Sequence, residues 1–135
     1  MVYYIDTSAF VKTIVIEQNS LDLVTWVQSM DPAFVSSDLL RIEALRSARR
    51  IDSSVMKEAR EALRSVDFIS LSSDVCELAA ELEPAVLRSL DAAHVATALS
   101  VGDDLEGVIT YDRRLVEACG QLGLAVVAPG ANTSS

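Results

Sequence analysis

Short, uninterrupted apolar runs alternate along the chain with longer segments of helical periodicity. Strands that are apolar on both faces are typical of parallel sheets, because helices cover both sides of such a sheet. Parallel neighbours also need a crossover connection, which is usually a helix. The alternation therefore predicts an α/β domain built around a parallel sheet. The predicted strands are Val2–Ile5, Ala33–Ser36, Phe68–Leu71, Gly107–Thr110 and Leu124–Ala128.

Capping residues and helix breakers mark the segments between these strands. Ser, Thr, Asp or Asn stands at the start of each predicted helix, and Pro32, Gly102 and Gly123 follow the ends of three of them. A chain of 135 residues suits one domain, expected over residues 1–130, with a disordered tail over residues 131–135. The predicted helices run over Ala9–Ile16, from Asn19 or Ser20 to Met30, over Leu39–Arg50, from Asp52 or Ser53 to Ser65, from Ser72–Asp74 to about Pro84, from Ser89 or Asp91 to about Val101, and over Asp112–Leu122.

The composition argues against several classes of protein. No apolar run approaches the ~18 residues that a membrane-spanning helix needs, so we expect no contact with a membrane. The first residues enter a strand pattern directly, without the basic stretch and cleavage site of a signal peptide, and we therefore expect a cytoplasmic protein. Cys76 and Cys119 match neither a disulfide framework nor the ligand spacing of a zinc site.

The net charge of −9 is unfavourable for binding nucleic acid, since contacts with phosphate need Lys and Arg. The basic residues are nevertheless clustered, because residues 41–64 hold seven of the eleven Lys and Arg but only four of the twenty Asp and Glu. A solvated helical surface with ion pairs explains such a segment. A surface that faces an RNA backbone or a protein partner explains it too, and the charge pattern leaves both interpretations open.

Acidic residues follow two of the predicted strands and begin or line two of the predicted helices. Asp6 comes directly after the first strand, and Asp112 stands two residues after Thr110. Ligands of an open parallel sheet bind beyond the carboxyl ends of its strands, so these acids would meet if their strands are neighbours. Asp91, at the start of a helix, and Glu43, one turn after Leu39 in another helix, can face the same crevice.

Each of these acids also has an ordinary structural explanation. Asp6, Asp91 and Asp112 have the residue type and the position of helix N-caps, which stabilise a helix by about 1 kcal/mol. Glu43 can pair with Arg46 three residues later. Carboxylates that do meet repel one another, and a divalent cation removes that conflict. Oxygen ligands alone suit Mg²⁺ or Mn²⁺, and the chemistry that such a site serves is phosphodiester hydrolysis.

The sequence around the acids forms four segments in a fixed order, which together span most of the chain. They are Ile5–Ala9 (IDTSA), Asp38–Glu43 (DLLRIE), Leu90–Ala96 (LDAAHVA) and Val108–Leu115 (VITYDRRL), followed by Gly123–Pro129 (GLAVVAP). In this pattern the chain resembles the PIN-domain family, specifically its branch of VapC toxins. The resemblance implies a Rossmann-like, three-layer α/β/α domain with a five-stranded parallel sheet in the order 3-2-1-4-5.

The resemblance also assigns roles to individual residues. It implies that three of the acids hold Mg²⁺ or Mn²⁺, directly or through water. It also implies that Glu43 completes an acidic catalytic pocket. The implied metal ligands are Asp6, Asp91 and Asp112, and the hydroxyl residues that support them are Thr7, Ser8 and Thr110.

A functional picture follows from the same resemblance. It implies a metal-dependent endoribonuclease that is the toxin of a type II toxin–antitoxin system, forms a homodimer and cleaves tRNA, rRNA or mRNA. A cognate VapB-type antitoxin would hold it inactive. Some relatives carry a further acid after the last aspartate, where this chain has Arg113 and Arg114, so a second metal site stays open. His94 follows the family pattern Asp-Ala-x-His. One turn after Asp91 it can form a hydrogen bond near the site, but the expected role is that of a half-buried histidine with its hydrogen bonds satisfied.

Other functions fit the sequence less well. A phosphatase with an aspartyl nucleophile needs Asp-x-Asp after the first strand, and a metal-dependent adhesion module needs Asp-x-Ser-x-Ser, whereas this chain has Asp6-Thr7-Ser8-Ala9-Phe10. No glycine-rich nucleotide-binding motif is present. Two alternatives stay open: a PIN-domain nuclease that is not a toxin, and a catalytically silent PIN scaffold that binds RNA or a partner protein.

Overall fold

The computed structural model describes residues 1–131, which form a five-stranded parallel sheet with helices on both sides. The strand order is β3-β2-β1-β4-β5, which confirms the predicted fold class and topology. Strand β1, the first in the chain, therefore lies at the centre of the sheet. The strands are β1 (Val2–Ile5), β2 (Ala33–Ser37), β3 (Val66–Ile69), β4 (Leu105–Ile109) and β5 (Val126–Val127).

Seven α-helices connect the strands in the described part of the chain. Gly102, with a φ of 81°, ends the sixth of them, and a short 3₁₀ turn over Gly102–Asp104 leads into β4. The left-handed backbone at this position is readily adopted by glycine, as the sequence predicted. The helices are α1 (Thr7–Lys12), α2 (Ser20–Met30), α3 (Asp38–Arg49), α4 (Ser53–Leu63), α5 (Ser73–Glu81), α6 (Ser89–Val101) and α7 (Arg113–Gln121).

Several predicted boundaries are wrong, and three of the elements differ for a local reason. Strand β3 begins two residues before the predicted start, because it pairs in register with β2 from Phe34–Val66 to Ser37–Ile69 and β2 ends there. Helix α1 begins earlier than predicted because Asp6 caps it, and it ends at Lys12. Strand β5 is limited to two residues, which pair with Val108 and Ile109.

Alternate residues of β1 pack into two separate cores, one on each face of the sheet. Tyr3 and Ile5 belong to the core that contains Phe10, Leu23 and Leu40 of helices α1, α2 and α3. Tyr4 belongs to the opposite core, which is formed with helices α6 and α7. This alternation follows from the two-residue period of a strand, and it directs the Tyr4 side chain toward α6.

The carboxyl ends of β1 and β4 lie side by side at the centre of the sheet. The amide of Asp6 donates a hydrogen bond to the carbonyl oxygen of Ile109 at 3.2 Å. The chain after β1 leads to β2 and the chain after β4 leads to β5, so the two connections run in opposite directions from this point, which is where ligands bind in open α/β folds. The fold therefore brings the residues that follow these two strands to a single crevice.

No helix within residues 1–131 combines the length and the apolar character that crossing a bilayer requires. The predicted tail begins at Ala131, the last residue that the structure describes. Residues 132–135 lie outside the described part of the chain, so the tail over residues 131–135 stays a prediction.

Candidate active site

Asp6 is a buried carboxylate at the junction of β1 and α1, with 4% of its surface exposed. Its Oδ1 accepts hydrogen bonds from the Ala9 amide at 3.1 Å and from the Ser8 hydroxyl at 2.8 Å. Its Oδ2 accepts one from the Thr110 hydroxyl at 2.8 Å. Burial raises the pKa of Asp6, and the hydrogen bonds from Thr110 and Ser8 offset only part of that rise. Asp6 is thus both a helix cap, as its residue type allows, and a member of a polar cluster.

The loop after β4 is fastened to the loop after β1 by hydroxyl groups. The Tyr111 amide donates to the Ser8 hydroxyl at 2.9 Å, and the Asp112 amide donates to the Thr110 hydroxyl at 3.1 Å. Thr110 is fully buried. These bonds fix the path of the chain that leads to Asp112, so the hydroxyl residues position the backbone as well as the carboxylate of Asp6.

Asp112 and Asp91 form a second acidic group at the same edge. Asp112 caps α7, and its Oδ1 accepts a hydrogen bond from the Arg114 amide at 2.9 Å. Asp91 lies in the first turn of α6, and partial burial together with repulsion from Asp112 raises its pKa. The repulsion means that the two carboxylates are near neighbours, although Asp91 and Asp112 belong to different helices.

Glu43 reaches the site from the middle of α3, where its side chain is half-buried. Its Oε1 accepts hydrogen bonds from the Thr7 hydroxyl and from Nε2 of His94, both at 2.7 Å. Burial alone would raise the pKa of Glu43, but the hydrogen bonds from His94 and Thr7 outweigh it and lower the pKa overall. Glu43 is therefore held as a carboxylate, with one oxygen fixed by two donors.

A buried hydrogen-bonded chain behind Glu43 fixes the orientation of His94. The Tyr4 hydroxyl lies 2.6 Å from Nδ1 of His94, and both side chains are buried. Burial raises the pKa of Tyr4, so its hydroxyl keeps its proton and donates a hydrogen bond to Nδ1. With the Tyr4 hydroxyl as the donor to Nδ1, the hydrogen on Nε2 of His94 is donated to Glu43.

The sequence interpretation expected a half-buried, satisfied histidine, whereas His94 is buried, with 5% of its surface exposed, and the interpretation missed that Glu43 is its partner. It also missed Tyr4, which the strand pattern identified only as an apolar core residue. The spacing of His94, three residues after Asp91 and so on the same helical face, was the available signal. Nothing in the sequence pointed to Tyr4, because its partner lies 90 residues away.

The structure places Asp91 near Asp112 and links Asp6 to the Asp112 amide through the Thr110 hydroxyl, without closing the acids into a cage. Within residues 1–131, no three His, Cys, Asp or Glu side chains form a ready-made set of metal ligands. In the same part of the chain, no Lys or Arg forms an ion pair with Asp6, Asp91 or Asp112.

This donor set fits a hard divalent cation. All the candidate ligands are carboxylate oxygens. A bound cation would offset the energetic cost of the buried charge on Asp6 and the repulsion between Asp91 and Asp112. An ion such as Mg²⁺ keeps several waters and needs only one or two carboxylates, so a closed protein cage is not required. Cys119 is buried in the core below the sheet and offers no ligand at this edge.

Comparison with known proteins gives a consistent result. The family model described as "PIN domain" matches residues 3–121. Ribonuclease VapC46 of Mycobacterium tuberculosis strain H37Rv is 41% identical over 126 residues, which cover 93% of this chain and 96% of that protein. Ribonuclease VapC47 of M. tuberculosis strain CDC 1551 is 37% identical over 134 residues, covering 95% and 97%.

Two solved structures have a similar fold. A toxin–antitoxin complex from Klebsiella pneumoniae contains a chain that matches with a TM-score of 0.72 at 21% identity, covering 94% of this chain and 97% of the other. VapBC2 from Rickettsia felis, bound to a DNA fragment from its promoter, matches with a TM-score of 0.68 at 12% identity, covering 94% and 98%. At these identities the likeness supports the fold.

Proposed function

The chain belongs to the PIN domain family, in the branch of the VapC ribonucleases, and on this premise we propose that it is a metal-dependent endoribonuclease and the toxin of a type II toxin–antitoxin system. The observation that carries the proposal is the carboxylate of Asp6, which is buried at the central strand end without a Lys or Arg partner in residues 1–131. A buried charge of this kind is costly unless a ligand compensates it.

We assign the ion to Asp6, Asp91 and Asp112, with Mg²⁺ as the expected ion and Mn²⁺ as the alternative. The chemistry that such an ion supplies when bound is Lewis acidity toward phosphate oxygens and water. Ser8 and Thr110 hold the carboxylate of Asp6 in place, and the cap of α7 holds that of Asp112.

Glu43 is suited to accept the proton that the attacking water must lose. It is ionised, and its Oε1 is held by Thr7 and His94. In the described chain its second oxygen accepts no side-chain hydrogen bond, which leaves it available at the site. A general base must be within hydrogen-bonding reach of the proton that it takes, and a carboxylate anchored through one oxygen can meet that requirement.

The proposed substrate is tRNA, rRNA or mRNA, and the proposed location of the protein is the cytoplasm. We further propose that the protein forms a homodimer and is inhibited by a VapB-type antitoxin. In support, the two similar solved structures come from a toxin–antitoxin complex and from VapBC2, and the curated relatives are VapC ribonucleases that match over nearly their whole length.

Cleavage by the purified protein tests the proposed activity. We expect cleavage of total RNA with Mg²⁺ or Mn²⁺, loss of cleavage with EDTA, and a loss of at least about 100-fold in Asp6→Asn, since removing one key electrostatic group costs this much. Asp103→Asn, a matched change at an exposed acid, should leave cleavage unchanged. Full activity in Asp6→Asn would contradict the proposal.

Growth of a host strain tests the proposed biological role. Induced expression of the wild-type protein should arrest growth, expression of Asp6→Asn at the same level should not, and a co-expressed antitoxin should relieve the arrest. If the purified protein cleaves RNA but induction leaves growth unaffected, the protein is a PIN-domain nuclease that is not a toxin.

A catalytically silent scaffold is the second candidate, against which the nuclease activity is tested. This candidate predicts that RNA or a partner protein binds without cleavage in any divalent cation. Isothermal titration of Mg²⁺ and Mn²⁺ into the protein separates the two, because the scaffold would bind neither ion at Asp6.

A further inference from the structure

A cavity of about 250 Å³ lies beside Asp91, between helix α7 and the segment that joins α5 to α6. Asp91 lines this cavity and also faces Asp112, so the cavity opens next to the candidate active site. We infer that it is a binding subsite for one nucleotide of the RNA strand, adjacent to the phosphodiester that is cut. This inference rests on the proposed ribonuclease function and specifies how the substrate is held.

Two arginines supply the positive charge that an RNA strand needs at this edge. Arg88, just before α6, and Arg114, in the first turn of α7, both line the cavity. Each lies close enough to the Asp91 carboxylate to lower its pKa, yet neither forms an ion pair within 4.0 Å in residues 1–131. Exposed guanidinium groups without a fixed partner are free to bind phosphate.

One wall of the cavity is apolar. Pro84, Val86 and Leu87 form it, and Val86 is 88% exposed. An exposed aliphatic wall is suited to packing against the face of an unstacked base, which is how proteins usually hold single-stranded RNA. The volume corresponds to roughly eight water molecules at liquid density, so it suits one base and is too small for a duplex.

Two further polar residues line the cavity and affect what it can bind. Gln121 lies on the rim and offers both a donor and an acceptor to a base edge. Glu117 also lines the cavity. Together with Asp91 it balances the charges of the two arginines. When a cation binds Asp91, that balance is lost and the cavity becomes positively charged. RNA binding in this cavity is therefore coupled to occupation of the active site.

The charges favour RNA over a protein segment as the occupant. A chain with a net charge of −9 repels a polyanion, and the two arginines are the cations that line this cavity at the active-site edge. Once a cation neutralises Asp91, the two arginines outnumber Glu117, so the cavity then favours a phosphate over a basic segment of an antitoxin. An acidic peptide would bind the guanidinium groups as well, and the experiment below distinguishes a bound peptide from bound RNA.

Binding of RNA to charge variants tests the inference. In the Asp6→Asn background, which prevents cleavage, fluorescence anisotropy with a short labelled single-stranded RNA of mixed sequence gives Kd in Mg²⁺ at several salt concentrations. Arg88→Gln and Arg114→Gln should each raise Kd roughly tenfold and reduce the salt slope by about one. Glu117→Gln should lower Kd. Arg113→Gln is the matched control, because Arg113 is exposed beside Arg114 but does not line the cavity.

The outcomes are distinct. Equal weakening by Arg88→Gln, Arg114→Gln and Arg113→Gln overturns the subsite in favour of diffuse charge attraction, and no weakening by the first two also overturns it. If those two variants bind RNA normally but lose a co-expressed antitoxin, the occupant is a peptide and the inference is wrong. If the wild-type protein neither binds nor cleaves RNA, the proposed function fails and the subsite fails with it.

Discussion

Asp6 combines a structural and a chemical role in one carboxylate. Its Oδ1 caps α1 through the Ala9 amide, while Ser8 and Thr110 hold both of its oxygens in a buried position. Burial raises the pKa of Asp6, which means that the ionised form is less favourable in the folded protein than in the unfolded chain. The folded state carries this cost at neutral pH so that a charged ligand can be bound there.

Asp6→Asn should therefore stabilise the protein when no metal is present. The amide keeps the acceptor oxygen for Ser8 and Ala9, can donate to the Thr110 hydroxyl, and removes the buried charge. We expect a rise of about 1 kcal/mol in the free energy of unfolding, or roughly 3–5 °C in Tm, measured in EDTA.

The sign of the pH dependence provides a check on this prediction. For an acid whose pKa is raised on folding, stability falls as the pH rises from the unfolded value, about 3.9, through the folded value. The advantage of Asp6→Asn should thus be smallest near pH 4 and larger at pH 7. An equal or lower Tm than that of the wild-type protein at both pH values would contradict it.

His94 tests whether Glu43 needs its buried donor. In His94→Ala, Tyr4 and Glu43 each lose a partner, and we expect a loss of about 1–3 kcal/mol in the free energy of unfolding, measured with urea. Because the pKa of Glu43 is lowered on folding, this stabilisation is present above about pH 4.3 and is lost as the pH falls through the folded pKa. His94→Gln can still donate to Glu43 and should recover part of the loss. Unchanged stability in His94→Ala at pH 7 would rule out this role.

The starts of α3 and α7 were predictable, because a capping side chain marks each of them. Ser37 accepts a hydrogen bond from the Leu39 amide at 3.1 Å, and Asp112 caps α7, as their residue types indicated. The position of β3 was not predictable from its own residues, because its register is set by pairing with β2, more than 25 residues away. Local chemistry therefore determined where helices begin, and tertiary pairing determined where the edge strand lies.

The cap of α5 offers a direct test at the level of one element. Ser72 accepts a hydrogen bond from the Val75 amide at 3.2 Å, and α5 packs against α6, which carries Asp91. Ser72→Ala should lower the free energy of unfolding by about 1 kcal/mol in urea denaturation. Ser73→Ala, an exposed change at the next residue, should cost much less. Equal losses in the two variants would show that the cap is not the cause.

At the level of the whole molecule, the sequence predicted the topology and the edge of the sheet at which the acids lie. It could not predict the hydrogen-bonded chain from Tyr4 through His94 to Glu43, because these residues are 90 and 51 positions apart and meet only in the folded protein. It also could not predict the cavity beside Asp91, which is formed by a connecting segment and by the side of α7. Residue types indicate chemistry, whereas the spaces between elements depend on packing.

Strand β1 and its central neighbour β4 lie far apart along the chain. Asp6 is hydrogen-bonded to Thr110 across 104 residues, and Asp112 lies two residues further on. A nascent polypeptide therefore cannot bring the candidate active site together until residue 112 has been synthesised and has left the ribosome.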